Sequence, residues 1–155
     1  MFRNSKEITI SKALESWQDP QGNPLLILSE QSCDVFLGCW TETGEPANYI
    51  CKISFSSAWA SRSYTNEFLP YEIKDSGRSS ILEITNSKWL KESVEYRLKT
   101  YPHWKPSNKE MYHHFVIQGH DLYVEVLAES YIEQIIPLNE FDKLLPPKYL
   151  NYFNQ

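Results

Sequence analysis

Hydrophobic and polar residues alternate with a period of two along much of this chain, the spacing that sends successive side chains to opposite faces of a strand. Over residues 35–41, Val35, Leu37 and Cys39 share one face and Phe36 and Trp40 the other. Over residues 48–55, Tyr49, Cys51, Ile53 and Phe55 alternate with Ile50, Lys52 and Ser54. The intervening Glu42-Thr43-Gly44-Glu45-Pro46 has the length and composition of a hairpin loop, so the two segments are predicted to pair antiparallel. A second hairpin is predicted from residues 112–118 and 122–128, where Gly119 is placed at the first central position of a two-residue turn. Counting outward from that turn sets His114 directly opposite Glu125. One face then carries Phe115, Ile117, Leu122, Val124 and Val126, with His113 at its edge. The other carries His114, Gln118, Asp121 and Glu125 among Tyr112, Val116, Tyr123 and Leu127.

Weaker alternation predicts short strands over 8–10, 25–28, 59–65, 71–73, 81–84 and 132–136. Residues 13–17 read as a helical turn, 18–24 as turn chemistry throughout, and Asp75-Ser76-Gly77 as a further turn. The period changes to 3.6 over residues 87–101. There Leu90, Val94, Leu98 and Tyr101 line one face, while Lys91, Glu92, Glu95 and Lys99 face solvent. Asn86 or Ser87 caps this helix, because a side-chain oxygen at that point accepts an orphan backbone N–H, and Pro102 ends it. A short helix over 137–145 is stopped by Pro146-Pro147, with one more helical turn at 149–153. The strands come in hairpins rather than βαβ units. The fold class is therefore α+β: one domain over 1–155, a mostly antiparallel sheet with the 87–101 helix packed on it and a short C-terminal helix. Sandwich-like and helix-on-sheet arrangements both fit these segments.

A chain of 155 residues with 41% hydrophobic and 14% aromatic residues buries enough surface to fold without a metal or disulfide. The formal charge of −5 and the lack of a basic stripe argue against nucleic-acid binding, whose affinity comes largely from phosphate contacts. Cys33, Cys39 and Cys51 are odd in number and form no C-x-x-C, so they read as core thiols in a reducing compartment. No apolar leader, membrane-length run or lipidation motif is present in the sequence, and the cytoplasm is the expected location, with no membrane partner.

The candidate chemistry centres on the second hairpin. A carboxylate beside an imidazole orients the ring and raises its basicity, as a general base or metal ligand requires. His114 and Glu125 are thus candidate catalytic residues, with His120 and Asp121 joining from the turn. The plainer reading is a surface ion pair. His113 and His114 are adjacent, so on a strand they point to opposite faces and cannot share one ion. Zinc, EF-hand, P-loop, dinucleotide and nucleophile-elbow patterns are all absent, so no metal or cofactor is expected. Trp59, Arg62 and Tyr64 form a further group, with Arg62 and Tyr64 on one strand face and Trp59 read as core.

The loop Tyr101-Pro102-His103-Trp104-Lys105-Pro106 presents aromatics with a cationic fringe, the residue types that concentrate binding energy at interfaces. Tyr101, His103, Trp104 and Lys105 are the candidate partner-binding residues; the alternative is that Trp104 folds back over the helix end. The layout resembles small acidic bacterial proteins of the toxin-immunity kind, which are cytoplasmic, α+β and bind one basic partner; no family motif matches residue by residue. The function expected from the sequence is a non-enzymatic protein-binding or regulatory domain of a bacterial-type cytoplasmic protein. The alternative is a small metal-dependent hydrolase or other enzyme with His114, Glu125, His120 and Asp121 at its site. A homodimer through a sheet edge or an aromatic patch is a further option.

Overall fold

The computed structural model describes residues 6–65, 70–71, 79–104 and 111–145. Ten strands and two helices follow in the order β1 (Ile8–Ala13), β2 (Trp17–Gln18), β3 (Leu25–Leu28), β4 (Cys33–Trp40), β5 (Pro46–Ser56), β6 (Ala60–Thr65), β7 (Ser80–Thr85), α1 (Lys88–Thr100), β8 (His113–Gln118), β9 (Leu122–Ala128), β10 (Ser130–Pro137) and α2 (Leu138–Leu144). The strands form two antiparallel sheets. One has the order β1-β7-β8-β9-β6; the other has the order β10-β5-β4-β2, with β3 also paired to β4. The predicted class holds, and the alternation resolves into two facing sheets with helices outside them.

A single bent ribbon joins the sheets. β5 pairs with β10 in one sheet, and their continuations β6 and β9 pair in the other. Pairing persists through the bend, where Glu129 N–H donates to Ser56 and Trp59 N–H to Leu127. Strands that pass from one sheet to another in this way make the corners of a two-sheet packing. The core lies between the sheets. Val35, Leu37, Cys51 and Ile53 from one side meet Ile81, Phe115, Ile117, Val124 and Val126 from the other. These are the inward faces that the alternation predicted.

Residues 13–17 do not form the expected helical turn. Leu14 enters the core, and the N–H groups of Glu15 and Ser16 are taken by the Glu133 carboxylate of β10, each at 3.0 Å. Those donors are satisfied by a residue more than a hundred positions away, and the chain bends at Glu15 and Ser16 as it crosses from one sheet to the other. The expected strand reaching Ile73, the Asp75–Gly77 turn and the helical turn at 149–153 lie outside the described residues.

The β8–β9 hairpin forms, but its register differs from the sequence count. His120 and Asp121 occupy the two central turn positions, and Gly119 N–H donates to Leu122 O at 2.7 Å. His114 is therefore opposite Leu127 and Val116 opposite Glu125. Gly119 is not in the left-handed region. Its role is close approach: a Cβ there would lie 2.4 Å from Pro24 Cδ and 2.8 Å from Asn23 Oδ1. The 22–24 loop grips the tip, since Gly22 O accepts from His120 N–H at 3.0 Å and Asn23 Oδ1 from Asp121 N–H at 2.8 Å. A displacement of two positions leaves each side chain on its expected face, because the strand period is two.

Ser87 caps α1, its hydroxyl oxygen accepting Leu90 N–H at 3.0 Å. Glu7 adds a second cap from the β1 side by accepting Lys88 N–H at 2.8 Å. Val94 is buried and Leu90 and Leu98 are half-buried, but Tyr101 is 65% exposed and is not part of the core face. The short α2 buries Phe141 against Phe36 on the outer face of the β4–β5 sheet. Among the described residues, no helix is long and apolar enough to cross a membrane.

All three cysteines are free and buried on the inward face of β4 and β5. Burial pushes the Cys33 and Cys39 thiols up to about 11 and raises Cys51 further. Thiolate is the reactive form. The native protein is therefore expected to resist a thiol reagent at pH 8 and to release all three thiols only on unfolding. Rapid labelling of any one of them in the native state would contradict this packing.

Candidate functional site

The outer face of the β1–β6 sheet carries the cluster that the sequence singled out, and it is closed. His114 and Glu125 are both fully buried. They sit diagonally across the β8–β9 pair, and His114 Nε2 meets Glu125 Oε1 at 2.7 Å. A carboxylate only accepts, so Nε2 donates. On the other side of the ring, Nδ1 lies 2.7 Å from the Ser87 hydroxyl. The hydroxyl group can donate to Nδ1 while its oxygen accepts the helix N–H. One serine thus joins the cap of α1 to the sheet.

Glu125 is the hub. Arg62 of β6 engages both of its oxygens, Nε on Oε2 and Nη2 on Oε1 at 3.2 Å. The Tyr71 hydroxyl donates to Oε1, and Arg62 also donates to the Tyr71 oxygen at 3.0 Å. Burial alone pushes a carboxyl group's pKa up. Here the bonds from His114, Arg62 and Tyr71 outweigh it and hold Glu125 below its usual value. The Tyr71 hydroxyl is raised, by burial first and then by its bond to Glu125. Trp89 closes the cluster from α1, edge-on to His114 at 5.0 Å and beneath the Arg62 guanidinium at 4.0 Å.

Serine, histidine and glutamate in a row have the residue types of a hydrolytic triad. Their environment is that of a lock. Ser87 is only 3% exposed, both imidazole nitrogens are engaged, and both Glu125 oxygens are taken. A reacting group needs access, and Ser87, His114 and Glu125 are all buried. The surface ion pair considered from the sequence is corrected too, since the pair is in the interior.

His120 and Asp121 are not part of this cluster. They bond to each other at 2.9 Å on the exposed hairpin tip. Four residues of extended strand separate Asp121 from Glu125, about 13 Å. His113 points to the opposite face, as predicted, and bonds Glu83 at 2.6 Å. Glu83 in turn pairs with Lys12 at 2.7 Å. Among the described residues, no group of three or more His, Cys, Asp or Glu side chains is placed to hold a metal ion.

The second candidate surface lies at the C-terminal end of α1. Trp104 does fold back, packing on Trp59 at 6.1 Å and Tyr112 at 6.4 Å between ring centroids. The Arg97 guanidinium stacks on both tryptophans, 5.1 Å from the Trp59 ring centre and 4.7 Å from that of Trp104. No carboxylate pairs with Arg97 among the described residues. The Trp59 indole N–H is buried without an acceptor there. Tyr101 and His103 are exposed beside the stack, and Tyr96 is 74% exposed; Lys105 lies outside the described residues.

Sequence reasoning missed Ser87, Tyr71 and Trp89 as partners of the histidine, and Arg97 as the cation of the aromatic group. It noted Arg62 without its carboxylate. The usable signal was the alternation in β6, which put Arg62 on the face of Tyr64; the guanidinium does lie over that ring, at 5.4 Å. A separate cleft of about 330 Å³ on the other sheet is lined by Asp19, Asn23, Gly38, Tyr49 and Leu138 among others, and none of the candidate residues reaches it. No protein-family model, curated protein or solved structure matches this chain.

Proposed function

We propose that this chain is a non-enzymatic binding or regulatory domain whose partner is a protein, contacted through the C-terminal end of α1. The observation that carries this reading is Arg97, stacked against both Trp59 and Trp104 with no acidic partner among the described residues. Stacking restrains the guanidinium, so little side-chain entropy is lost when a carboxylate meets its planar fork. Arginine and tyrosine are among the side chains on which interface energy concentrates. Tyr101 lies one helical turn beyond Arg97 and is largely exposed beside it. Exposed Lys99 adds positive charge to this end of a chain whose net charge is −5. The fitting partner surface therefore presents an acidic side chain with apolar flanks.

The test is affinity capture with the wild-type chain, followed by titration of the captured protein against two variants. Tyr101→Ala should leave the thermal midpoint nearly unchanged, and Arg97→Ala should lower it slightly. Each should weaken the complex by about tenfold or more. A partner that binds both variants as tightly as wild type would remove this surface from consideration.

A further inference from the structure

Among the described residues five strands have a free side: β1, β6 and β10, and the short β2 and β3, of two and four residues. Free strand edges invite pairing with another chain, and folded proteins guard them with charge, shortness or proline. β1 carries Lys12 and β6 carries Arg62, and each has six residues. β10 is longer, with eight residues, and contains neither lysine nor arginine. Ile132 and Ile135 on it are 55% and 51% exposed.

Pro137 fixes which backbone groups of β10 face outward. It has no N–H, yet it lies opposite Tyr49 in the ladder, so it must occupy a non-hydrogen-bonded position. Alternation then turns the backbone groups of Ile132, Gln134 and Ile136 toward β5 and those of Tyr131, Glu133 and Ile135 toward the open side. The side chains of two of these are occupied across the fold: Glu133 accepts from Ser16 and Glu15, and the Tyr131 ring packs on Phe115 at 5.2 Å between centroids.

We propose that β10 is a self-complementary edge that pairs antiparallel with β10 of a second copy about a two-fold axis at Gln134. In this register Gln134 faces Gln134 of the other copy, and Ile132 faces Ile136 on both sides of the axis. The outward backbone groups of Glu133 meet those of Ile135. Shifting the axis by one residue, onto Glu133, would set two like charges directly opposite, which opposes pairing. The occupant is a second copy because the strand matches itself: one polar pair at the centre, apolar pairs flanking it, and no like charges opposed. The interface is small, so the dimer is weak and reversible. It is separate from the Arg97 surface, and the two proposals stand or fall independently.

Sedimentation velocity from micromolar to millimolar protein tests this. Wild type should shift reversibly from monomer to dimer. Gln134 is exposed, so Gln134→Lys and Gln134→Glu should keep the wild-type circular dichroism. Each alone should weaken dimerisation by about tenfold or more, because like charges then meet at the axis. An equimolar mixture of the two should recover a heterodimer at least as tight as wild type. A wild-type monomer throughout, a dimer indifferent to both variants, or no recovery on mixing would each overturn the proposal.

Discussion

Glu125→Ala is expected to destabilise the protein by about 3–5 kcal/mol in urea unfolding, the range seen when one partner of a buried charge network is removed. The loss comes from the groups left behind. The Arg62 guanidinium, the Tyr71 hydroxyl and His114 Nε2 all donate to this carboxylate, and the side chain is fully buried. Removing the charge together with its cation should hurt less, so Arg62→Leu/Glu125→Leu is expected to recover part of the deficit. A loss below about 1 kcal/mol for Glu125→Ala would show that the cluster does not lock α1 and Tyr71 onto the sheet. The same carboxylate predicts a pH dependence. Its folded value lies below the ordinary 4.5, so its contribution is complete above 4.5 and disappears as pH falls through the lowered folded value. Glu83 and Glu133 are also lowered and act in the same direction. Wild type should therefore lose stability more steeply than Glu125→Ala as the solution is acidified below 4.5.

Gly119→Ala is expected to cost about 1–3 kcal/mol, the scale of inserting a methyl group where packing leaves no room. The added carbon would stand 2.4 Å from Pro24 Cδ and 2.8 Å from Leu122 O. Either the hairpin tip or the 22–24 loop must retreat, breaking the bonds from His120 N–H to Gly22 and from Asp121 N–H to Asn23. Hydrogen exchange at the His120 and Asp121 amides should accelerate well beyond the global change. Gly22→Ala serves as the control, because its nearest neighbour would be a side-chain carbon at 3.3 Å. Equal stability of the Gly119→Ala and wild-type proteins would mean that the tip is not gripped.

These two positions also separate chemistry from architecture. Histidine, serine and glutamate at hydrogen-bonding distance suggest catalysis when only residue types are considered. Burial and saturation make them a fastening between α1, the sheet and Tyr71. The half-buried cation at Arg97, without a carboxylate partner among the described residues, is the more available group, and it lies outside the cluster that attracted notice first.

The face that each strand turns inward was legible from the sequence, because alternation is a local property of the extended chain. Val35, Leu37, Cys51, Ile53, Phe115 and Val124 are buried together as their spacing requires. The α1 boundaries were legible for the same reason: Ser87 and Pro102 act on the backbone next to them. Two sheets in place of one, the register of β8 on β9 and the partners of Glu125 were decided only in the tertiary structure. The register depends on Asn23 holding Asp121, 98 positions away. The lock depends on Arg62, Tyr71 and Ser87 arriving from three separate segments. Periodicity specifies which way a side chain points but not which element comes to cover it, and on that covering depend the closure of His114 and Glu125 and the stacking of Arg97 on two tryptophans.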